Sequence, residues 1–151
     1  MKIAIVGSQE DKWTEEQKVK AKAEIKLILE HYDYSVLVSG HCPKGGVDIW
    51  AEEIADKFGI EKEIFTPEVN QWNDKITWSQ ALGNIKIGYK SRNIKIADAC
   101  DILYCIVPFN IKGRCWYHCD KMDYSHIKNG GCWTLSKAEQ FGKETHLVVI
   151  E

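Results

Sequence analysis

Cys115, Cys119, His126 and Cys132 fall within eighteen residues in the order C-x3-C-x6-H-x5-C. Thiolates and an imidazole at such spacing suit a tetrahedral zinc ion, for which three cysteines and one histidine are a common structural set. The stretch 109–132 has no clean apolar period, so it needs a source of order other than a buried face, and one metal ion supplies it. His118 could replace a neighbouring ligand. The alternative is a loop of incidental cysteines packed on Trp116 and Trp133. Cys132 directly follows Gly130-Gly131, so a metal there would be tied to that glycine pair. Cys100 and Cys105 flank or occupy an apolar run and read as core thiols, while Cys42 sits in a glycine-rich loop and stays ambiguous. No Cys-x-x-Cys occurs, and thiol redox chemistry is the weaker reading.

Four further segments carry residues suited to an anion. Gly7-Ser8-Gln9 offers a close backbone approach and a hydroxyl, although a plain strand-to-helix turn has the same composition. Ser39-Gly40-His41-Cys42-Pro43-Lys44-Gly45-Gly46-Val47-Asp48 is glycine-rich, holds a lysine and opens onto a helix. It lacks the Gly-Lys-Ser/Thr order of a Walker loop. Arg92-Asn93 could pair with a phosphate and a base or ribose, or simply form a solvated basic turn leading into a short helix over Ile94–Ala97. Gly130-Gly131, with Trp133 and Thr134 after it, again stands at a helix start, where unpaired amides favour phosphate. Asp48 and Glu52, spaced i, i+4, are candidate acid/base groups, as is Glu139; the first two could instead be helix-start acids that complement the dipole.

These residues need a frame. Lys2–Val6 is a β-branched run closed by Gly7, and Tyr34–Val38, Glu61–Phe65, Ile102–Val107 and His146–Ile150 are further strand candidates. Thr14 and Gln17 fit a capping box before Ala21, Ile25, Ile28, Leu29 and Tyr32 at helical spacing. Val47, Trp50, Ala51, Ile54, Ala55 and Phe58 form the best amphipathic face, stopped by Gly59. Leu135, Ala138 and Phe141 mark a last helix closing at Gly142. Strands alternating with helices, with fully apolar runs in the clearest of them, imply a parallel sheet covered on both faces. The expectation is an α/β, Rossmann-like three-layer sandwich with five parallel strands, one domain over 1–151 and a cysteine-rich insertion before the last helix. Thr66–Lys90 breaks the alternation, with a weak helical signal over Ile76–Leu82. In such a sheet all four anion-suited segments fall at the carboxyl edge, the default pattern of a nucleotide-type pocket.

Composition narrows the function classes. With 151 residues, 44% hydrophobic, 28% charged and a net charge of -2, the chain has the make-up of an ordered globular protein. It offers no global basic excess for duplex DNA. No apolar run approaches the ~20 residues of a membrane span. The short apolar start Met1–Gly7 does not read as a secretory signal, so a cytoplasmic protein is expected.

At these residues the chain resembles the SLOG superfamily, Rossmann-like proteins related to the LOG cytokinin-activating hydrolases and to DprA. The resemblance rests on Gly7-Ser8, Ser39-Gly40 with Gly45-Gly46-Val47-Asp48 and Ala51-Glu52, Trp72, Gly88 to Asn93, and Gly130-Gly131 with Thr134. It looks most like a small stand-alone branch with a Ser-Gly-x4-Gly-(Gly/Ala)-x-Asp loop and an Arg-Asn pair. The resemblance implies a nucleotide or nucleotide-derived ligand, held by Gly7, Ser8, Gln9, Gly40, His41, Lys44, Gly45, Gly46, Asp48, Arg92, Asn93, Gly130, Gly131, Trp133 and Thr134. It also implies a sensing or nucleotide-processing role, and a homo-oligomer. LOG hydrolases carry Pro-Gly-Gly-x-Gly-Thr-x-x-Glu; here Trp133 replaces the inner glycine and Lys137 the catalytic glutamate. Enzymatic activity therefore stays an open question. The rival readings are a nucleoside-phosphate N-glycosidase using Asp48, Glu52 or Glu139, and a zinc-knuckle module binding nucleic acid or a partner through Lys112, Arg114, Lys121 and Lys128. Arg92→Ala is expected to abolish ligand binding while the fold survives.

Overall fold

The computed structural model describes residues 1–76, 84–118 and 122–151. β1 (Lys2–Gly7) is followed by a short 3-10 turn (Glu10–Lys12), α1 (Glu15–His31), β2 (Val36–Ser39), α2 (Val47–Phe58) and β3 (Glu61–Ile64). A small antiparallel pair, β4 (Lys75–Ile76) and β5 (Ile85–Lys86), precedes α3 (Tyr89–Ala99), β6 (Ile102–Pro108), α4 (Gly130–Gln140) and β7 (Glu144–Ile150). The main sheet has five strands in the order β3-β2-β1-β6-β7, and every pairing in it is parallel. This is the Rossmann-like α/β sandwich that the strand and helix pattern implies.

Strand alternation sorts the core into two layers. Ile3 and Ile5 point to one face of β1, where Ile25, Leu29, Trp50 and Ala51 of α1 and α2 cover them. Ala4 and Val6 point to the other, under Ile96 and Ala97 of α3 and Leu135 and Ala138 of α4. The chain winds outward from β1 to β3, then returns to start β6 on the other side of β1. The crevice beyond the carboxyl ends of β1 and β6 is thus the switch point at which open parallel sheets bind ligands.

Local signals explain the element ends. The Thr14 hydroxyl accepts from the Gln17 amide at 3.2 Å and the Gln17 side chain accepts from the Thr14 amide at 3.1 Å, completing the capping box. Gly59 closes α2 in the left-handed conformation, φ 67°. Two expectations change. The Arg-Asn pair lies inside α3, which starts at Tyr89 and not at Ile94. Arg92 and Asn93 share its buried stripe with Ile96 and Ala97, and their polarity disguised the helical period. Ile76 belongs to β4 instead of a helix; the rest of that weak helical signal, with Trp78, lies outside the described residues. Among the described residues no helix is long and apolar enough to cross a membrane.

Candidate functional site

A cavity of about 340 Å³ opens at the switch point. Gly7, Ser8 and Gln9 line it from the end of β1, Asn129, Gly130, Gly131 and Thr134 from the start of α4, and Arg92 and Asn93 from α3. Asp48 and Cys42 close it on the α2 side, and Lys12 and Lys128 add positive charge. Gly7, Ser8, Gln9, Asp48, Arg92, Asn93, Gly130, Gly131 and Thr134 are therefore brought together as the motifs implied. Lys12, at the end of the 3-10 turn, and Asn129, at the cap of α4, are additions that no motif signalled, and Lys128, read from sequence only as part of the insertion's basic bias, joins them.

The backbone of this cavity offers donors that could receive an anion. Asn129 caps α4, its side-chain oxygen accepting from the Cys132 amide at 3.0 Å. The amides of Gly130 and Gly131 in the first turn have no helical acceptor, as the geometry of a helix start requires. Asn129 Nδ2 donates to the Ser8 hydroxyl at 3.0 Å, which leaves the Ser8 proton for another acceptor. Thr134 differs from expectation: its hydroxyl donates to the Gly130 carbonyl at 2.7 Å, so its proton is already committed within α4. Gly131 is required by packing. A Cβ there would stand 3.0 Å from the Gly7 nitrogen and 3.1 Å from its Cα, so the glycine pair lets α4 approach the end of β1.

Arg92 is buried and mostly engaged with the protein. Nη1 donates to the carbonyls of Gly40 and, at 3.3 Å, Phe65, and Nε donates to Asn93 Oδ1 at 2.8 Å. Only Nη2 makes no hydrogen bond among the described residues. Arg92→Ala therefore cannot be the clean loss of ligand binding expected from sequence, because it also removes the tie between the ends of β2, β3 and α3. Asp48 is buried beside it. Burial pushes its carboxyl up from 3.8 to about 6, against the attraction of Arg92 and with reinforcement from Glu52.

The second glycine loop serves the frame more than the cavity. Gly40, His41, Lys44, Gly45 and Gly46 do not line it. Gly46 adopts φ 93°, and a side chain there would strike the backbone of Ser8 and Gln9. Its role is to let α2 start against the first turn, where the Val47 amide donates to the Ser8 carbonyl at 3.3 Å. Glu52 does not line the cavity either; it accepts from the Ser39 hydroxyl at 3.0 Å and pairs with His41 Nδ1 at 2.8 Å. Glu139 is exposed at the far end of α4 and accepts from the Thr145 hydroxyl at 3.1 Å. Of the acid/base candidates, only Asp48 reaches the cavity.

Beside the cavity lies an aromatic shelf. Trp72 and Trp133 meet edge to face at 5.1 Å between ring centroids. With Tyr117 they line a shallow cleft that shares Lys128, Asn129 and Gly130 with the main cavity. Trp133 thus lines this shelf and not the main cavity.

Behind the cradle, Cys115, His118, His126 and Cys132 converge, their ligand atoms all within 4.8 Å of one another. This buried cluster could hold a metal ion. Its residues fit one. Among the described residues neither ring nitrogen of buried His118 has a hydrogen-bond partner, an orphan state that folded proteins seldom leave unfilled. His126 Nε2 lies 3.3 Å from Cys132 Sγ, while its Nδ1 meets the Ser125 hydroxyl at 3.0 Å, the outer partner that a ligating imidazole usually has. The Cys132 thiol is held down at about 3, chiefly by the Cys105 thiol and then by the two imidazoles. Three of the expected ligands are present, and His118 completes the group; Cys119 lies outside the described residues. Backbone bonds between Cys115 and Asp123, at 2.9 and 2.7 Å, order the insertion around the cluster. Of the basic residues expected there, Lys112 is exposed, Arg114 stacks on Tyr124 and Lys128 on Trp116, and Lys121 lies outside the described residues.

No protein-family model matches the chain, and no curated protein matches it in sequence. Among solved structures, the chain is similar to the molybdenum cofactor carrier protein MCP of Chlamydomonas reinhardtii. The TM-score is 0.58 at 20% sequence identity, covering 97% of this chain and 74% of that one. At that identity the likeness establishes the shared α/β fold.

Proposed function

We propose that the carboxyl-edge cavity binds a small phosphate-bearing ligand of nucleotide type, in the manner the SLOG resemblance implies, with zinc in the Cys/His cluster bracing one wall. The observation that carries this reading is the pair of Gly130 and Gly131 amides at a helix start, without an acceptor among the described residues, lining one cavity with Ser8 at the switch point. Lys12, Lys128 and Arg92 supply positive charge around them. The Trp72–Trp133 shelf, continuous with the cradle, offers a flat aromatic surface for a ring. Calorimetric titration with AMP and ADP tests it. Binding that disappears in the Lys12→Ala, Lys128→Ala double variant is expected, and full affinity in that variant would contradict the assignment. A carrier role, such as the neighbour's name states for the molybdenum cofactor, would use the same fold and edge; mass spectrometry of ligands that co-purify separates the two.

A second reading is favoured by Asp48 alone. A buried carboxyl held near 6 beside the cradle is suited to protonate a leaving base, the general-acid step of N-glycosidic hydrolysis. Free base released from AMP, GMP or NAD by the wild-type chain and not by Asp48→Asn would establish it. Binding without release would leave the protein a binder.

A further inference from the structure

The metal cluster and the cavity are built on one short arc of chain. His126 and Cys132 are two of the four clustered ligand residues, and Lys128, Asn129, Gly130 and Gly131, between them, line the cavity. That cavity wall is therefore tethered at both ends to the cluster. Asn129 ties the two sites again: its oxygen accepts from the amide of Cys132, and its nitrogen reaches the Ser8 hydroxyl. At the other end of the cluster, Gly113 presses against the backbone of His126, too close for any side chain, and Cys115 is bonded to Asp123. Among the described residues the His118 ring has no hydrogen-bond partner.

We infer that metal occupancy of Cys115, His118, His126 and Cys132 sets the affinity of the cavity, so that the protein binds its phosphate ligand in a metal-gated way. The inference rests on the proposed phosphate-binding role of that cavity. Without a metal, two buried imidazoles and two thiols have no common partner, and only hydrogen bonds and packing hold the Lys128–Gly131 arc. With a metal, both ends of the arc are fixed before ligand arrives, so the ordering cost falls on metal binding and not on ligand binding. The two equilibria must then be coupled reciprocally: whatever factor the metal contributes to ligand affinity, the ligand contributes to metal affinity.

The test compares ADP binding by the zinc-loaded chain and by chain stripped with a chelator, with circular dichroism of both. About tenfold or tighter binding in the zinc-loaded chain is expected, a coupling of the usual size, together with an equal tightening of zinc by ADP. Equal ADP affinity in two folded states overturns the coupling and leaves the cavity reading intact. Failure of ADP to bind even the zinc-loaded chain defeats the nucleotide reading itself. Should the stripped chain unfold, cobalt-loaded protein decides: ADP is expected to shift the visible absorption of the ion, and an unchanged spectrum on a chain that binds ADP overturns the inference.

Discussion

Replacing Asp48 by asparagine should stabilise the protein at neutral and alkaline pH. Its carboxyl is buried and raised from 3.8 to about 6, first by burial and then by Glu52, with Arg92 and the Cys42 amide opposing. A group whose folded pKa exceeds its unfolded pKa contributes its full stability only below the unfolded value. Around pH 4 and below, the carboxyl is largely neutral in both states and imposes little. As pH rises through about 6, the unfolded chain ionises freely while the folded chain resists, and stability is lost. A rise of about two units corresponds to about 3 kcal/mol at most. In the Asp48→Asn chain the amide side chain keeps an oxygen for the Cys42 amide and carries no charge to bury. Urea unfolding of both chains at acid pH and at pH near 8 reads the difference; other titrations are common to both and largely cancel. A gain of about 2–3 kcal/mol at the higher pH that vanishes in acid is the expected result. Equal stability at pH near 8, or the same gain in acid, would show that the carboxyl is not buried as the structure has it. The gain should come with weaker ligand binding or lost hydrolysis, since a buried acid retained at this cost is the usual mark of a working site.

Two other substitutions separate frame from site. Arg92→Ala removes a buried guanidinium from the carbonyls of Gly40 and Phe65 and from Asn93, and should lower stability by about 2–4 kcal/mol in denaturant melts; loss of ligand binding with unchanged stability would refute the structural tie. Gly131→Ala forces a Cβ against the Gly7 backbone and should cost about 1–3 kcal/mol, whereas Gly130→Ala, whose Cβ would find Asn93 Nδ2 at 3.6 Å, should fold normally and weaken ligand binding. Equal melting of the two alanine variants would contradict the close approach of α4 to β1.

Elements with strong local signals were readable from the sequence. The apolar β6 run, the Thr14–Gln17 box and the α2 face with its Gly59 stop each occupy the place their pattern implies. The convergence of Gly7, Ser8, Gly130 and Gly131 at one edge was readable too, because each segment ends a strand or opens a helix of one parallel sheet. Three features were not. The buried stripe of α3 is half polar, so its period was hidden. Gly45 and Gly46 have a conformational reason, but sequence cannot tell a ligand's approach from that of the protein itself; here the neighbours are the Arg92 side chain at Gly40, the Glu10 side chain at Gly45 and the Ser8–Gln9 backbone at Gly46. Asn129, Lys12 and Lys128 reach the cavity only through the fold. In the metal cluster, spacing alone left His118 as a substitute ligand, and it is the three-dimensional convergence with Cys115, His126 and Cys132 that promotes it.

The end of β1 and the start of α4 are proposed to receive a phosphate together. Amide NMR shifts on titration of ADP into the zinc-loaded chain test it most directly. The largest changes are expected on Ser8, Gly130 and Gly131, with smaller ones along Lys128 and Asn129. Saturable shifts centred elsewhere, or a spectrum unmoved by the nucleotide, would contradict it.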